Sequence, residues 1–202
     1  MVELLLVDDH PIWRDALKLV LVRGGYEVAH QAKSLAEARA VLNNHAGFDL
    51  VISDLQLPDG TGEELLAEVK PVVIVSADER PSTVRRCMRA GAVGYIPKSA
   101  PPADVLAVLE DALSGKVRIS ASLAVALVNY EIDNPEVILT PREWDVLTML
   151  RDGSTSTRQI AKALFITERT VKAHMASIFE KSDVTNRAGI LVEDSKGRYS
   201  KA

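Results

Sequence analysis

Residues 3–11 read Glu-Leu-Leu-Leu-Val-Asp-Asp-His-Pro, an apolar run that ends at two aspartates and a proline. A short, continuous apolar run of this kind is typical of a strand that is buried on both faces of a sheet. Four more such runs, mostly of valine, isoleucine and leucine, follow along the first half of the chain. The predicted strands are Glu3–Val7, Glu27–Ala32, Leu50–Ser53, Val72–Ser76 and Gly94–Ile96.

Segments with helical patterns separate these runs. Gly91 closes the fourth segment and Ser114-Gly115 closes the fifth, as expected at helix C-termini. Five alternations of strand and helix predict an α/β fold, a doubly wound five-stranded parallel sheet. The predicted helices are Pro11–Arg23, Leu35–Asn43, Thr61–Val69, Ser82–Ala90 and Pro102–Leu113.

Composition excludes several classes of protein. With 202 residues, of which 47% are apolar and 26% charged, the chain suits one large globular domain or two small ones. Cys87 is the only cysteine, which excludes an intrachain disulfide and a cysteine-based zinc site. The N-terminus lacks a basic leader, and no stretch approaches the roughly 18 apolar residues of a membrane span. We therefore expect a cytoplasmic protein that does not contact membranes.

The net charge of −4 conceals an asymmetry. Residues 1–137 carry 13 basic and 20 acidic side chains, whereas residues 138–202 carry 11 basic and 8 acidic ones. The first part is therefore acidic and the last part modestly basic, which favours nucleic acid as a partner of the last part only.

Polar side chains follow four of the predicted strands. Asp8 and Asp9 follow the first, Asp54 the third, Ser76 ends the fourth, and Lys98 follows the fifth. Ligands bind beyond the carboxyl ends of the strands in such sheets. Converging carboxylates suit Mg²⁺, and a lysine with a hydroxyl suits a transferred phosphoryl group. Taken singly, each aspartate is more often a turn former or helix cap, and the lysine a surface charge.

Four motifs together resemble the receiver domain of two-component response regulators over about residues 2–115. They are Asp8-Asp-His-Pro11, which is similar to the NarL/FixJ subgroup in particular, Asp54-Leu-Gln-Leu-Pro-Asp-Gly60, Ser76-Ala77, and Tyr95-Ile-Pro-Lys98. The resemblance implies a flavodoxin-like receiver fold. It also implies a sensor histidine kinase as the phosphoryl donor.

The resemblance assigns a role to each residue of the acidic site. Asp54 is expected to accept the phosphoryl group, and Lys98 to pair with the phosphoryl oxygens. Asp9, Asp54 and the backbone carbonyl of Gln56 are expected to bind Mg²⁺, with Asp8 acting through the water shell of the ion. Such a chain catalyses only its own phosphoryl transfer and dephosphorylation, and is otherwise not an enzyme.

The resemblance also implies a conformational switch. Ser76 is expected to hydrogen-bond the phosphoryl group, and Tyr95 to swing inward behind it. The charge of the phosphoryl group would thereby favour one of two conformations of this part of the receiver. The chain between Asp54 and Ser76 is shorter than usual for the family, which predicts a stubby third helix. Its acidic residues, Glu63, Glu64 and Glu68, are expected to be solvated.

The last part of the chain has an all-helical pattern. Ser156 and Gln159 fit a capping box before a short helix, and Thr167 fits the cap of a second helix that is apolar on one face and basic on the other. This is the layout of a helix-turn-helix, although periodicity alone fits an ordinary helical bundle equally well. The predicted helices are Pro141–Asp152, Ser156–Leu164, Glu168–Lys181 and Ala188–Asp194.

Three motifs over residues 138–192 resemble the LuxR-type output domain: Leu139-Thr-Pro-Arg-Glu143, Gln159-Ile-Ala161 and Thr170-Val-Lys-Ala-His174. We therefore predict a receiver domain at residues 1–116, a partly helical linker at 117–137, and a small all-α helix-turn-helix domain at 138–202. The implied partner is double-stranded promoter DNA, bound as a homodimer that forms on phosphorylation.

On this resemblance, Lys172 is expected to enter the major groove, where it reaches guanine edges or phosphate. The alanines at 173 and 176 offer only apolar contact, for example to a thymine methyl group. The remaining candidates would contact phosphates and add affinity without sequence information. The expected DNA-binding residues are Arg169, Thr170, Lys172, Ala173, Ala176, Ser177 and Lys181, with Thr155 and Ser156 as further phosphate contacts.

Two alternatives stay open at this point. A phosphatase or phosphotransferase could use the same acidic site, although such enzymes have a second aspartate where this chain has Gln56. A regulator that works without phosphorylation could use the receiver only to dimerise. The leading hypothesis is a phosphorylation-dependent, DNA-binding transcriptional regulator.

Overall fold

The computed structural model describes residues 2–44, 47–154 and 156–202. The chain divides into two compact units, Met1–Val128 and Asn129–Ala202. Within the described residues, no helix combines the length and the apolar composition needed to cross a bilayer.

The first unit is built on a parallel sheet of six strands: β1 (Glu3–Val7), β2 (Glu27–Ala32), β3 (Leu50–Asp54), β6 (Val72–Ser76), β7 (Gly94–Pro97) and β8 (Arg118–Ile119). Their order across the sheet is β2-β1-β3-β6-β7-β8. The doubly wound parallel sheet is therefore confirmed, and all five predicted strands are present. The sixth strand, β8, is a two-residue addition beside β7 that the sequence pattern did not predict.

Helices cover both faces of the sheet, and each face has its own apolar core. Leu5, Val7 and Ile74 belong to one core, whereas Leu4 and Leu6 belong to the other, because alternate residues of a strand point to opposite faces. This two-sided burial explains why the strands read as continuous apolar runs. The helices of this unit are α1 (Pro11–Arg23), α2 (Leu35–Asn44), α3 (Leu65–Glu68), α4 (Pro81–Ala90) and α5 (Pro102–Leu113).

The connection after β3 is short, as predicted, but the predicted helix Thr61–Val69 is reduced to a 3₁₀ turn and one α-helical turn. Strands β4 (Gln56–Leu57) and β5 (Gly60–Thr61) pair antiparallel, a 3₁₀ turn follows at Gly62–Glu64, and α3 is a single turn. Short elements of this kind suffice here because Leu65 and Leu66 are almost fully buried and anchor α3 to the core.

Glu64 and Glu68 are exposed, as expected, but the acidic residues beside α3 are not only solvated, because all three pair with cations. Arg39 of α2 contacts Glu68 at 2.6 Å and Glu64 at 3.0 Å, and Nε of Arg86 in α4 donates to Glu63 at 2.7 Å. The cations come from the helices on either side, which local sequence does not reveal. These ion pairs hold the short α3 between α2 and α4.

The second unit contains α7 (Pro141–Arg151), α8 (Thr157–Ala163), α9 (Glu168–Ser182) and α10 (Arg187–Ser195) around one apolar core. Helix α6 (Ala121–Asp133) spans the division between the units. The helical domain is confirmed, but it also holds two strands that were not predicted. Strand β9 (Val137–Leu139) and strand β10 (Tyr199–Lys201) pair in parallel. Three-residue strands carry too little alternation to be recognised.

Only some of the helix caps that the sequence predicts are present in this unit. Thr167 accepts a hydrogen bond from the backbone NH of Thr170, as predicted for the start of α9. The capping box at Ser156 is wrong, because that side chain makes no capping hydrogen bond. A complete capping box occurs instead at Thr140 and Glu143, at the start of α7.

Candidate functional site

The carboxyl ends of β1 and β3 bring three aspartates together. Asp8 follows β1 and is fully buried, Asp54 ends β3 and is 4% exposed, and the Asp9 side chain is one-third exposed. One ligand atom from each of them, and one from His10, lie within 4.8 Å of one another. The convergence expected at the carboxyl ends of the strands is therefore present.

Lys98 joins the aspartates from the end of β7. Its Nζ lies 2.7 Å from Asp54 Oδ2 and 2.8 Å from Asp8 Oδ2, and its side chain is largely buried. The same ammonium stands 4.8 Å from the centre of the Trp13 ring, a cation–π contact. Lys98 is therefore held between two carboxylates and one aromatic face.

Burial and ion pairing shift the pKa values of Asp54 and Lys98 in opposite directions. Burial raises the pKa of the Asp54 carboxyl, and the hydrogen bond and charge of Lys98 offset only part of that increase. Burial alone would lower the pKa of the Lys98 ammonium, but its hydrogen bonds to Asp54 and Asp8 raise it. The lysine is therefore a firmly charged group beside a partly desolvated carboxyl.

His10 is a member of the cluster that sequence reasoning missed. Its Nδ1 lies 2.8 Å from Asp9 Oδ1 and 3.8 Å from Asp54 Oδ2, and its backbone NH donates to Asp8 Oδ1 at 2.7 Å. The available signal was its position directly after the aspartate pair. Its imidazole is mostly exposed, so it borders the cluster on the solvent side.

The donor set fits a hard divalent cation. Asp9 Oδ1 is buried, and its one close polar neighbour given by the structure of the described residues is His10 Nδ1 at 2.8 Å, so this carboxylate oxygen can serve as a ligand. Oxygen ligands from carboxylates are those that Mg²⁺ prefers. At Gln56, the backbone NH donates to Asp54 Oδ1 at 3.2 Å, so this residue also borders the cluster.

Ser76 and Tyr95 are linked through a third residue. Ser76 Oγ accepts a hydrogen bond from the backbone NH of Asp78 at 3.0 Å, and the Tyr95 hydroxyl donates to the backbone carbonyl of Asp78. The Tyr95 ring is fully buried, and burial raises the pKa of its hydroxyl. The structure therefore has this ring in the inward position.

A cleft of about 480 Å³ opens over Asp54. One wall is polar and the other, formed by the start of α1, is apolar. Ile12 on that wall is 88% exposed. The lining includes His10, Ile12, Trp13, Asp54, Ser76 and Lys98. The cleft is the side from which a reagent in solution would approach the largely buried Asp54 carboxylate.

Gly62 supports Asp54 from behind. A Cβ atom at this position would lie 2.1 Å from the carbonyl oxygen of Asp54 and 2.8 Å from Ser53 Oγ. Only glycine permits this close approach of the two backbones. The 3₁₀ turn thereby fixes the end of β3, where the carboxylate is attached.

In the second unit, α8 and α9 form the predicted helix-turn-helix. Val171, Met175 and Ile178 of α9 are buried in the core. The opposite face of α9 is exposed and carries the predicted groove residues. Those exposed residues are Arg169, Lys172, Ala173 and Ala176. Thr155, a predicted phosphate contact, lies outside the described residues.

Two of the predicted DNA contacts are engaged within the unit. Lys181 Nζ lies 2.7 Å from Glu143 Oε2, and Ser177 Oγ donates to Glu143 Oε1 at 2.8 Å. Burial alone would raise the pKa of Glu143, but hydrogen bonds from Lys181, Thr140 and Ser177 outweigh it and lower the pKa to about 2. Glu143 thereby ties α9 to α7, a role that sequence reasoning did not find.

The first unit is an α/β domain with a carboxylate–lysine cluster, and the second unit contains a helix-turn-helix. Chains that combine these two units form a class of regulatory proteins. The response regulator receiver domain matches residues 4–110, and the luxR family of bacterial regulatory proteins matches residues 137–193. The chain therefore belongs to the response regulators that combine a receiver domain with a luxR-type DNA-binding domain.

Individual relatives extend over both parts. The glycerol metabolism activator of Pseudomonas putida is 34% identical over 205 residues, which cover 93% of this chain and 92% of the relative. The nitrate/nitrite response regulator NarL of Escherichia coli K12 is 30% identical, covering 91% and 90%. RcsB of Salmonella enterica serovar Typhimurium, solved on promoter DNA, has a TM-score of 0.62 at 21% identity, covering 97% and 98%, which shows a shared fold.

Proposed function

We propose that this chain is a transcriptional regulator whose DNA binding is controlled by phosphorylation of Asp54. Membership of the receiver and luxR-type families supports both halves of this function. The observation that carries the proposal is the position of Lys98, 2.7 Å from Asp54 and 2.8 Å from Asp8. A fixed cation there neutralises the charge that a phosphoryl group adds to the carboxylate.

In the proposed reaction, an Asp54 carboxylate oxygen attacks the phosphorus of a phosphohistidine on a sensor histidine kinase. The new P–O bond forms as the P–N bond breaks, and the departing imidazole takes up a proton. Lys98 pairs with the transferred oxygens, and the Ser76 hydroxyl donates a hydrogen bond to one of them. Because the protein modifies itself, it acts as a phosphoacceptor and not as an enzyme with a separate substrate.

Mg²⁺ is the proposed cofactor, and it supplies charge neutralisation at the phosphoryl oxygens. Asp9, Asp54 and the backbone carbonyl of Gln56 would hold it, with Asp8 acting through water. The available Asp9 Oδ1 supports this assignment. His10 Nδ1 lies 2.8 Å from the same oxygen, and its exposed imidazole would have to turn toward solvent for Asp9 to hold an ion.

The proposed switch connects Ser76 to Tyr95. Both side chains bond the backbone of Asp78, one at its NH and the other at its carbonyl. A Ser76 hydroxyl that turns toward a phosphoryl group gives up the Asp78 NH, whereas the Asp78 carbonyl still accepts the hydrogen bond that holds Tyr95 inward. The inward Tyr95 ring is the position that we assign to the phosphorylated state.

The output of the switch is DNA binding by the second unit. Lys172, with Ala173 and Ala176, would read the major groove, while Arg169 and Thr170 would contact phosphates. Ser177 and Lys181 would also contact phosphates. Their bonds to Glu143 fix the positions of both side chains. The target is promoter DNA, bound as a homodimer that forms on phosphorylation, with half-sites about one helical turn apart.

We propose a receiver domain at residues 1–116, a linker at 117–137 whose strand β8 pairs with the receiver sheet, and a DNA-binding domain at 138–202. Helix α6 (Ala121–Asp133) within the linker supports its partly helical character. We also infer that the protein works in the cytoplasm, where its kinase and DNA would be available.

A phosphorylation assay tests the proposal. With acetyl phosphate and Mg²⁺, the intact mass of the protein should increase by one phosphoryl group. Asp54→Ala should abolish the increase, whereas Asp15→Ala, which removes an exposed carboxylate of α1, should retain it. Labelling that persists in Asp54→Ala would contradict the assignment, and turnover of a small phosphomonoester would instead indicate a phosphatase.

A further inference from the structure

The turn between α8 and α9 contains a residue that the fold does not explain. Phe165 has a φ of 54°, in the left-handed region. The backbone NH of Ile166 donates to the Ala161 carbonyl at 3.0 Å, and that of Phe165 lies 3.4 Å from the Lys162 carbonyl. This is the Schellman pattern of a helix C-terminus, in which glycine normally takes the left-handed position.

A phenylalanine at this position is costly for the folded state. A Cβ in the left-handed region crowds the following carbonyl, so bulky residues seldom adopt it. Burial of the ring does not offset this cost, because Phe165 is 95% exposed. Among the described residues it is the most exposed large apolar side chain. A strained and unburied residue of this kind is more often explained by function than by folding.

The surroundings of Phe165 indicate what the ring contacts. It lies two residues before Thr167, the cap of α9, and the cations Lys162 and Arg169 on either side of it are exposed. In a helix-turn-helix, the start of the second helix meets base edges while the first helix crosses the DNA backbone. The turn that joins them is therefore continuous with the surface that meets DNA.

We propose that Phe165 is a DNA-contacting residue, whose ring packs against a deoxyribose or a thymine methyl group at the edge of the groove entered by α9. This rests on the proposed DNA binding of the second unit. The contact is apolar, so it adds affinity without releasing counterions. The ring adds contact area to a surface where Ala173 and Ala176 have only methyl side chains.

The full-length Phe165→Gly protein tests this assignment, because the proposal predicts opposite changes in two quantities. Glycine relieves the left-handed strain, so the thermal midpoint of the second unit should rise by a few degrees. Affinity for a duplex selected from genomic fragments should fall about fivefold, since the apolar contact is lost. The slope of log affinity against log salt should stay unchanged, because no cation is removed.

Asp183→Gly is the matched control. Of the residues that the structure describes, Asp183 is the other non-glycine residue with a positive φ, also 54°, at the C-terminal end of α9. Its replacement should raise stability in the same way without lowering DNA affinity. Arg169→Ala is the control for a charged contact and should lower both the affinity and the salt slope. A second variant, Phe165→Asn, keeps a residue that tolerates the left-handed region and should also lose affinity.

Unchanged affinity in Phe165→Gly and Phe165→Asn, alongside lower affinity in Arg169→Ala, would overturn the proposal and leave DNA binding by α9 intact. Normal DNA affinity with lost transcriptional output would overturn it in favour of a protein contact. If Arg169→Ala and Lys172→Ala also bind normally, the proposed function itself fails, which is a distinguishable result.

Discussion

Glu143 shows how one buried carboxylate holds two helices of the DNA-binding unit in place. It accepts hydrogen bonds from the backbone of Thr140 and from the side chains of Ser177 and Lys181. Two of these donors belong to α9. The orientation of α9 therefore depends on the charge of Glu143.

The first prediction concerns the stability of the DNA-binding unit at low pH. The pKa of Glu143 is lowered from its ordinary 4.5 to about 2, so its contribution to stability is present above about pH 4.5 and is lost as the pH falls toward 2. We expect Glu143→Gln to remove at most about 3 kcal/mol at neutral pH and to flatten the decline of stability in acid. The measurement is urea unfolding against pH, monitored by Trp144 in a Trp13→Phe background.

Glu180→Gln is the control for that experiment, because Glu180 is an exposed carboxylate on the same helix. It should leave the pH profile as in the parent protein. An equally steep acid decline in Glu143→Gln would show that other carboxylates cause it.

The second prediction concerns the backbone contact behind Asp54. In Gly62→Ala, the added Cβ would lie 2.1 Å from the Asp54 carbonyl oxygen, so β3 must shift at its end. We expect a loss of about 1–3 kcal/mol of folding free energy and slower labelling by acetyl phosphate. Urea unfolding and intact mass measure the two effects.

Gly115→Ala separates local strain from damage to the site. Gly115 has a φ of +77°, but no atom lies near its would-be Cβ. This variant should lose some stability while labelling at the normal rate. Normal labelling in Gly62→Ala would show that β3 tolerates the shift.

At the level of elements, α2 begins at a cap provided from far along the chain. Asp59, in the β4–β5 turn, accepts hydrogen bonds from the backbone NH groups of Leu35 at 2.8 Å and Ala36 at 2.9 Å. These bonds lower the pKa of Asp59. The turn after Asp54 is thereby tied to the start of α2.

The third prediction follows from this cap. In Asp59→Ala, two NH groups at the start of α2 lose their acceptor, and their amide exchange should become several-fold faster. Asp59→Asn keeps one acceptor and should have an intermediate effect. Exchange at Leu35 and Ala36, measured by NMR, is the test, and unchanged rates in Asp59→Ala would show that water replaces the cap at no cost.

Elements also show where sequence reasoning ends. Asp8, Asp54 and Lys98 could be placed together because parallel strands end at one edge of a sheet. The pairing of Arg39 with Glu64 and Glu68 could not, because it depends on how α2 packs beside α3.

The same limit applies to the second unit. The core face of α9 follows from its periodicity, whereas β9 and β10 are too short to have a pattern. The left-handed Phe165 was also missed, since glycine is the usual signal for a helix C-terminus and is absent there. Local periodicity therefore predicted the elements, and contacts between distant residues decided the details.

At the scale of the whole molecule, the two parts of the chain have different functions and opposite net charges. The acidic first part holds carboxylates that bind a cation and a phosphoryl group in the proposed mechanism. The last part has an excess of only three basic residues over acidic ones. We therefore expect weak, salt-sensitive DNA binding by a single copy, so that pairing of two copies on adjacent half-sites provides most of the affinity.

The most direct test of the central claim is the affinity of the full-length protein for a duplex selected from genomic fragments. It is measured with and without acetyl phosphate and Mg²⁺, for the parent protein and for Asp54→Ala. We predict that acetyl phosphate tightens binding by the parent about tenfold or more, and leaves Asp54→Ala unchanged. Equal affinities in all four measurements, or the same increase in both proteins, would contradict control of DNA binding by phosphorylation of Asp54.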